Sequence, residues 1–157
     1  MKFLHTQAFI NGQWITTERT FSVKNPATRE VLASVPDLDE THTRQAIAAA
    51  SADFPAWSSL PAKQRSKVLR KWFQLIMDNR TDLGKLLTAE QGKPLKEGIG
   101  EIVYGAGFVE WFAEEAKRAY GDIIPNSVPG SRIFALKQPV GVVAAITPWN
   151  FPNAMIT

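Results

Sequence analysis

The chain has 157 residues, 45% hydrophobic and 21% charged, a composition that allows one ordinary domain, or part of a larger one, to bury a core. Its net charge of +3 comes from 18 basic and 15 acidic side chains scattered along the chain, which argues against a nucleic-acid partner. With no cysteine, two histidines and no apolar run near the roughly eighteen residues that span a bilayer, the sequence predicts no disulfide, no metal site, no membrane partner and a cytoplasmic location.

Residues 1–36 are predicted to form β-hairpins. Two short apolar runs flank Asn11-Gly12, a pair that readily supplies the two positive φ angles of a type I′ turn. A second pair of short strands is predicted at residues 21–23 and 31–35, on either side of a turn-like segment.

Residues 37–120 are predicted to be helical. Apolar residues recur at helical spacing from about residue 40 to 54, and Pro61 opens a second helix with its own apolar stripe. A third helix is predicted from Thr81, as its N-cap, to a stop at Gly92. Such stripes are typical of helices that pack into a core.

The helical pattern of residues 94–120 is unusual because four glycines interrupt it, namely Gly98, Gly100, Gly105 and Gly107. Each interior glycine costs about 1 kcal/mol relative to alanine, so tertiary contacts must compensate. We interpret the glycines as sites where this helix packs closely against another backbone. The glycine spacing does not match a dinucleotide-binding loop, and no strand precedes it.

Extended structure is predicted to return at residues 121–138. Residues 140–147 are almost wholly apolar and lie between Pro139 and Pro148, a pattern typical of a strand buried on both faces in the parallel sheet of an α/β fold. Such a strand needs neighbours on both edges, and the chain contains no later βα units to supply them. We therefore expect an incomplete architecture, in which residues 139–157 form the first sheet strand and the loop after it.

The sequence Pro148-Trp149-Asn150-Phe151-Pro152, directly after this apolar run, resembles the oxyanion-asparagine signature of the aldehyde dehydrogenase superfamily. The segments similar to the succinate-semialdehyde dehydrogenase branch are residues 90–94, 110–118 and 120–122. The early segments 9–14 and 25–28 also fit the family, so the resemblance covers the chain from about residue 8. It implies an α/β fold, the N-terminal part of the aldehyde dehydrogenase cofactor-binding region, with β-hairpins, a helical segment and the first strand of a Rossmann-like parallel sheet.

The resemblance also implies a reaction, the oxidation of succinate semialdehyde to succinate with NAD or NADP. In this family a cysteine thiolate attacks the aldehyde, hydride passes to the cofactor and a thioester is hydrolysed. Asn150 matches the position whose side-chain amide stabilises the oxyanion. The cofactor is expected to border the main chain of Ile146, Thr147, Pro148 and Trp149. Phe151 is expected beside the aldehyde pocket, and Phe108 and Trp111 near its entrance.

The family's cysteine nucleophile, general-base glutamate and cofactor lysine are expected beyond Thr157, so the chain is predicted to be inactive alone. Two alternatives remain. The chain could be a non-enzymatic truncated remnant that binds a homologous subunit, or the parent enzyme could act on another aldehyde such as glutarate semialdehyde. The implied partners are a small-molecule aldehyde and further copies of the protein, since the family usually forms dimers or tetramers.

Overall fold

The computed structural model describes residues 1–157 as four long helices and three separate two-stranded antiparallel sheets. The strands are β1 (Ala8–Ile10), β2 (Gln13–Ile15), β3 (Thr20–Lys24), β4 (Val31–Pro36), β5 (Asp122–Ile124) and β6 (Ile133–Ala135). The helices are α1 (Glu40–Ser59), α2 (Ala62–Asp78), α3 (Arg80–Gln91) and α4 (Leu95–Glu115). None of these helices is both long and apolar enough to cross a membrane.

Both predicted hairpins at the start of the chain are confirmed. Asn11 and Gly12 have φ angles of 51° and 74°, which are those of a type I′ turn, and β1 pairs with β2 across them. The strands β3 and β4 form the second antiparallel pair. The extended segment predicted after residue 121 forms a third pair, β5 with β6.

Local capping is seen at the start of α1 and at the end of α3, and one predicted helix start is corrected. Asp39 caps α1, because its carboxylate accepts a hydrogen bond from the main-chain N–H of His42 at 3.2 Å. The prediction of Thr81 as the N-cap of α3 is wrong, since α3 begins at Arg80 and Asn79 alone separates it from α2. The main-chain carbonyl of Asn79 already accepts the first hydrogen bond of the helix, from Leu83 at 3.0 Å. The stop at Gly92 is confirmed by its φ of 87°.

The core lies where α4 packs against α2 and α3. Its buried residues are Ile76, Leu87, Ile102, Ala106 and Val109. Close backbone packing is confirmed for Gly98, because a Cβ there would lie 3.0 Å from the Gly84 carbonyl oxygen on α3. Gly100 and Gly107 have no neighbour within 4 Å of a built Cβ, so the close-packing interpretation does not hold for them in this structure. Gly105 packs against the end of the chain, described below.

Residues 140–147 are not a buried strand in this structure, which corrects the prediction. The segment pairs with none of the six strands, and the side chains of Val140 and Ile146 are 93% and 99% exposed. The apolar pattern indicates only that the segment is suited to burial. Hydrogen-bonded pairing and a buried face require a neighbouring strand, and none of β1 to β6 pairs with this segment.

Candidate active site

Residues 151–157 form a helical turn that packs against the first half of α4. The main-chain N–H of Met155 donates to the carbonyl of Phe151 at 3.0 Å, and that of Thr157 donates to the carbonyl of Asn153 at 3.2 Å. Pro152 occupies the first position of the turn, where a missing N–H costs nothing. The next two N–H groups of the turn, those of Asn153 and Ala154, need an acceptor from elsewhere.

Glu101 of α4 supplies that acceptor. Its carboxylate oxygen Oε1 accepts hydrogen bonds from the main-chain N–H groups of Asn153 at 2.9 Å and Ala154 at 3.3 Å. The side chain is 1% exposed, so these are charge-assisted bonds in a place without solvent. Phe151 has no side-chain oxygen with which to cap the turn, and Glu101 performs the role of the N-cap from another helix.

Lys93 neutralises Glu101 and also holds the start of the loop. Its Nζ forms an ion pair with Oε2 of Glu101 and donates to the main-chain carbonyl of Asn150 at 3.1 Å. The same ammonium lies 4.3 Å from the centre of the Phe151 ring, which is a cation–π contact. Gly92, in the left-handed conformation, ends α3 at Gln91. Lys93 therefore lies in the connection between α3 and α4.

Gly105 permits the close approach of this turn to α4. A Cβ built at Gly105 would lie 2.6 Å from Oγ1 of Thr157 and 3.2 Å from Cα of Ala154, and it would also overlap Nδ2 of Asn153. Any larger residue would push the turn away from the helix. Ala154 is accordingly buried, at 5% exposure.

A cleft of about 540 Å³ opens beside the turn, between α3, α4 and the loop. Its lining includes Leu83, Leu87, Gln91, Ile102, Trp149 and Asn153. Two polar atoms of this lining, Oε1 of Gln91 and Nδ2 of Asn153, are buried without a hydrogen-bond partner in the chain. The open surface of the cleft is mainly apolar, and Glu90 is its one charged residue.

The structure places Asn150 at the exposed start of the turn, with its backbone carbonyl held by Lys93. The four residues expected to border a cofactor lie just before it, outside any helix or strand: Ile146, Thr147, Pro148 and Trp149. The peptide groups of these four make no hydrogen bond within the chain, and the Trp149 side chain is 78% exposed. Phe151 is half-exposed beneath Lys93.

Phe108 and Trp111 do not line the cleft. Phe108 is half-buried and packs edge-on against Tyr104, with ring centres 4.8 Å apart, and Trp111 is 63% exposed. Both lie further along α4 than Glu101 and Gly105, so the structure does not bring them together with the Asn150 loop.

Neither Glu101 nor a role for Lys93 in the site was predicted from the sequence. A signal was present, because Glu101 lies on the same helical face as Gly98 and Gly105, among the otherwise apolar residues that α4 buries. A carboxylate on such a face is rarely buried without a partner. Finding Lys93 as that partner required the turn at Gly92, which brings two residues eight positions apart into contact.

Comparison with known proteins finds one matching family and several similar proteins. The model of the aldehyde dehydrogenase family matches residues 14–157. The chain is 57% identical to a glutarate-semialdehyde dehydrogenase of Pseudomonas putida, over 96% of the chain and 32% of that protein. It is 54% identical to the NADP(+) succinate-semialdehyde dehydrogenase of Escherichia coli, again over 96% of the chain and 32% of that protein.

The fold is also that of solved relatives. The crystal structure of a succinate-semialdehyde dehydrogenase from Burkholderia pseudomallei superposes with a TM-score of 0.94 at 50% identity, over 98% of this chain and 32% of that one. The mixture of hairpins and helices is therefore that of one part of this fold. The chain spans about a third of the length of the relatives it matches.

Proposed function

The chain belongs to the aldehyde dehydrogenase family, and from that premise we propose that it is part of an enzyme that oxidises succinate semialdehyde to succinate with NAD or NADP. The observation that carries this proposal is the family match over residues 14–157, which contains Asn150 and every other residue assigned to the site. The names of the relatives that are 54% and 57% identical support a semialdehyde substrate with a second carboxylate.

In the proposed mechanism Asn150 stabilises negative charge. Attack on an aldehyde converts its carbonyl oxygen into an oxyanion, and a preorganised side-chain amide that donates to that oxygen lowers the barrier by about 3 to 4 kcal/mol. Asn150 is exposed and lies at the start of a turn anchored to α4, so its side chain is free to reach a substrate. Phe151 would lie beside the aldehyde.

The nucleophile is not among these residues. The 157 residues contain no cysteine, so the thiolate of the proposed thioester chemistry must come from outside them. We assign to this chain the polarisation of the substrate and part of the cofactor site. On this proposal the 157 residues have no dehydrogenase activity by themselves.

The residues proposed to border the cofactor suit that role. Residues 146–149 lie outside any helix or strand, are largely exposed and make no main-chain hydrogen bond within the chain, so their peptide groups are available to a bound molecule. When bound, NAD or NADP accepts the hydride that leaves the substrate carbon. Residues 146–149 would hold and orient one side of the bound cofactor. Both NAD and NADP are therefore tested.

Glutarate semialdehyde is the second candidate substrate, because a glutarate-semialdehyde dehydrogenase is 57% identical to this chain. The two substrates share an aldehyde and a distant carboxylate and differ by one methylene. One methylene changes kcat/KM by about 10- to 200-fold in a fitted pocket. The ratio of the two kcat/KM values therefore decides between them.

The test is an absorbance assay for NADH and NADPH formation with both semialdehydes and with an aldehyde that lacks the second carboxylate. The 157-residue chain and the product of its reading frame continued to the next stop codon are assayed side by side. Activity in the continued product alone supports the proposal. Activity of the 157-residue chain by itself, whether or not the continued product is also active, would show that the mechanism does not use a cysteine. Inactivity of both would favour a non-enzymatic role in binding a homologous subunit.

A further inference from the structure

We propose that Lys93 and Glu101 are positioning residues for Asn150, and that the pair fixes the backbone from which the oxyanion-binding amide projects. This inference rests on the role proposed above for Asn150. It assigns a function in the reaction to two residues that are expected to touch neither the substrate nor the cofactor.

The two side chains hold the loop at its reactive residue and at the turn that follows it. Lys93 binds the carbonyl of Asn150 itself, at 3.1 Å. Glu101 binds the N–H groups three and four residues further along, at 2.9 and 3.3 Å. Because the Lys93–Glu101 ion pair joins these contacts, the loop cannot shift at one end without disturbing the other.

Because the pair is buried, we infer that it orients the Asn150 loop more than it stabilises the fold. The side chains of Lys93 and Glu101 are 12% and 1% exposed, and removal of two charges from water offsets most of the attraction between them. Two apolar residues of similar volume would often stabilise a fold as well. An apolar pair, however, could not accept from the N–H groups of the turn or donate to the Asn150 carbonyl.

A requirement for a fixed loop follows from the chemistry. An oxyanion donor is effective only if it already points to the place where charge develops, and small errors in position are costly. The segment before Asn150 makes no main-chain hydrogen bond within the chain and does not restrain it. Within the described chain, the restraint on Asn150 comes from Lys93 directly and from Glu101 through the turn.

The experiment compares Lys93→Met, Glu101→Leu and the double variant Lys93→Met/Glu101→Leu in the longest protein that the reading frame encodes. Lys96→Met and Glu97→Gln, at exposed positions of α4, are the controls. Three quantities are measured: kcat and KM for the aldehyde, the thermal unfolding midpoint, and hydrogen exchange of the peptide that contains residues 151–157.

We expect the single variants to lower both the unfolding midpoint and kcat, the latter by about tenfold or more. In the double variant the buried charges are gone, so the midpoint should return towards that of the wild type while kcat stays low. Exchange of residues 151–157 should be faster in all three variants and unchanged in the controls. Recovery of kcat together with the midpoint in the double variant would overturn the proposal, because the pair would then be only structural.

The exchange measurement separates this inference from the proposed function. If the wild type is active and the exchange rates of residues 151–157 are unchanged in the three variants, the positioning role is wrong and the proposed function stands. If the wild type oxidises no aldehyde, the proposed function fails and the positioning of a catalytic Asn150 fails with it. If exchange of residues 151–157 is still faster in the three variants, the result would show only that the pair restrains the loop.

Discussion

The carboxylate of Glu101 accepts a hydrogen bond from the main-chain N–H of Asn153, 52 residues further along the chain, at 2.9 Å. This bond connects the interior of α4 to the turn that follows Asn150. Since the same carboxylate pairs with Lys93, which binds the Asn150 carbonyl, one buried ion pair links α4, the connection between α3 and α4, and the candidate active-site loop.

Removal of the Asn150 amide tests its role directly. We expect Asn150→Ala to lower kcat by about 100- to 1,000-fold, because a single oxyanion donor is lost, with little effect on cofactor affinity. Steady-state kinetics and cofactor titration of the active enzyme measure the two effects. The control is Asn126→Ala, in the loop between β5 and β6, which should retain activity. A loss of less than threefold at Asn150 would contradict its assignment as an oxyanion donor.

Gly105 is predicted to be required for docking of the turn on α4. Gly105→Ala should lower the free energy of unfolding by about 1 to 3 kcal/mol, because the added methyl meets the backbone of Ala154 and the side chain of Thr157. Gly107→Ala is the control on the same helix, since nothing lies within 4 Å of a Cβ there. That substitution should be neutral or stabilising by up to about 1 kcal/mol. Denaturant unfolding measures both, and equal effects would contradict close packing at Gly105.

The local structure of this chain was predictable where a few adjacent residues determine it. Asn11-Gly12 specifies its turn, and Gly92 ends α3, because positive φ angles have few alternatives in sequence. Residues 140–147 are the opposite case. Their apolar pattern predicts a strand, but hydrogen-bonded pairing depends on neighbours that this part of the chain does not contain.

The candidate site was predictable only in part, for a related reason. Asn150 belongs to a contiguous motif, and its proposed role was predicted from that motif. Glu101 and Lys93 act through contacts with residues 52 and 57 positions away, and no local pattern encodes such a pairing. A charged residue on the buried face of α4 was the only sign in the sequence, and it identified neither the partner nor the role.

Gly92 is predicted to tolerate no side chain. Its φ of 87° disfavours other residues by about 1 to 2 kcal/mol, and a Cβ would lie 2.6 Å from Cγ of Pro26. We therefore expect Gly92→Ala to destabilise the fold by at least this amount and to displace Lys93. Gly100→Ala, with a clear space around the new methyl, is the control. If both variants unfold at the same denaturant concentration, the turn at Gly92 is not restricted as described.

The ion pairs of Glu114 with Lys117 and with Arg70 of α2 predict a defined pH dependence. Hydrogen bonds from Lys117 and then from Arg70 hold the pKa of Glu114 below its ordinary value of 4.5. A carboxyl with a lowered pKa in the folded state stabilises the fold above its unfolded pKa, and this contribution is lost as the pH falls through the folded pKa. Glu114→Gln should therefore lower the unfolding midpoint at neutral pH, by an amount that stays constant to about pH 5 and disappears at lower pH.

The effect at Glu114 should be small, because the group is exposed to solvent, and it should shrink further in high salt. Thermal unfolding from neutral pH to below pH 4 measures it. The control is Glu97→Gln, which changes an exposed carboxylate that forms no ion pair. A midpoint difference between Glu114→Gln and the wild type that grows on acidification would contradict the assigned direction of the pKa shift.

The exposed apolar segment predicts self-association of the 157-residue chain. Val140, Val143 and Ile146 are 93%, 72% and 99% exposed in a segment outside any helix or strand, and its main-chain groups are free to pair with another chain. We expect association that increases with protein concentration, measured by light scattering, together with binding of a hydrophobic dye. Val140→Lys/Val143→Lys should reduce both, whereas Val31→Lys, on β4, should not. A monodisperse monomer that binds no dye would show that this segment is covered in solution and that its exposure here does not describe the free chain.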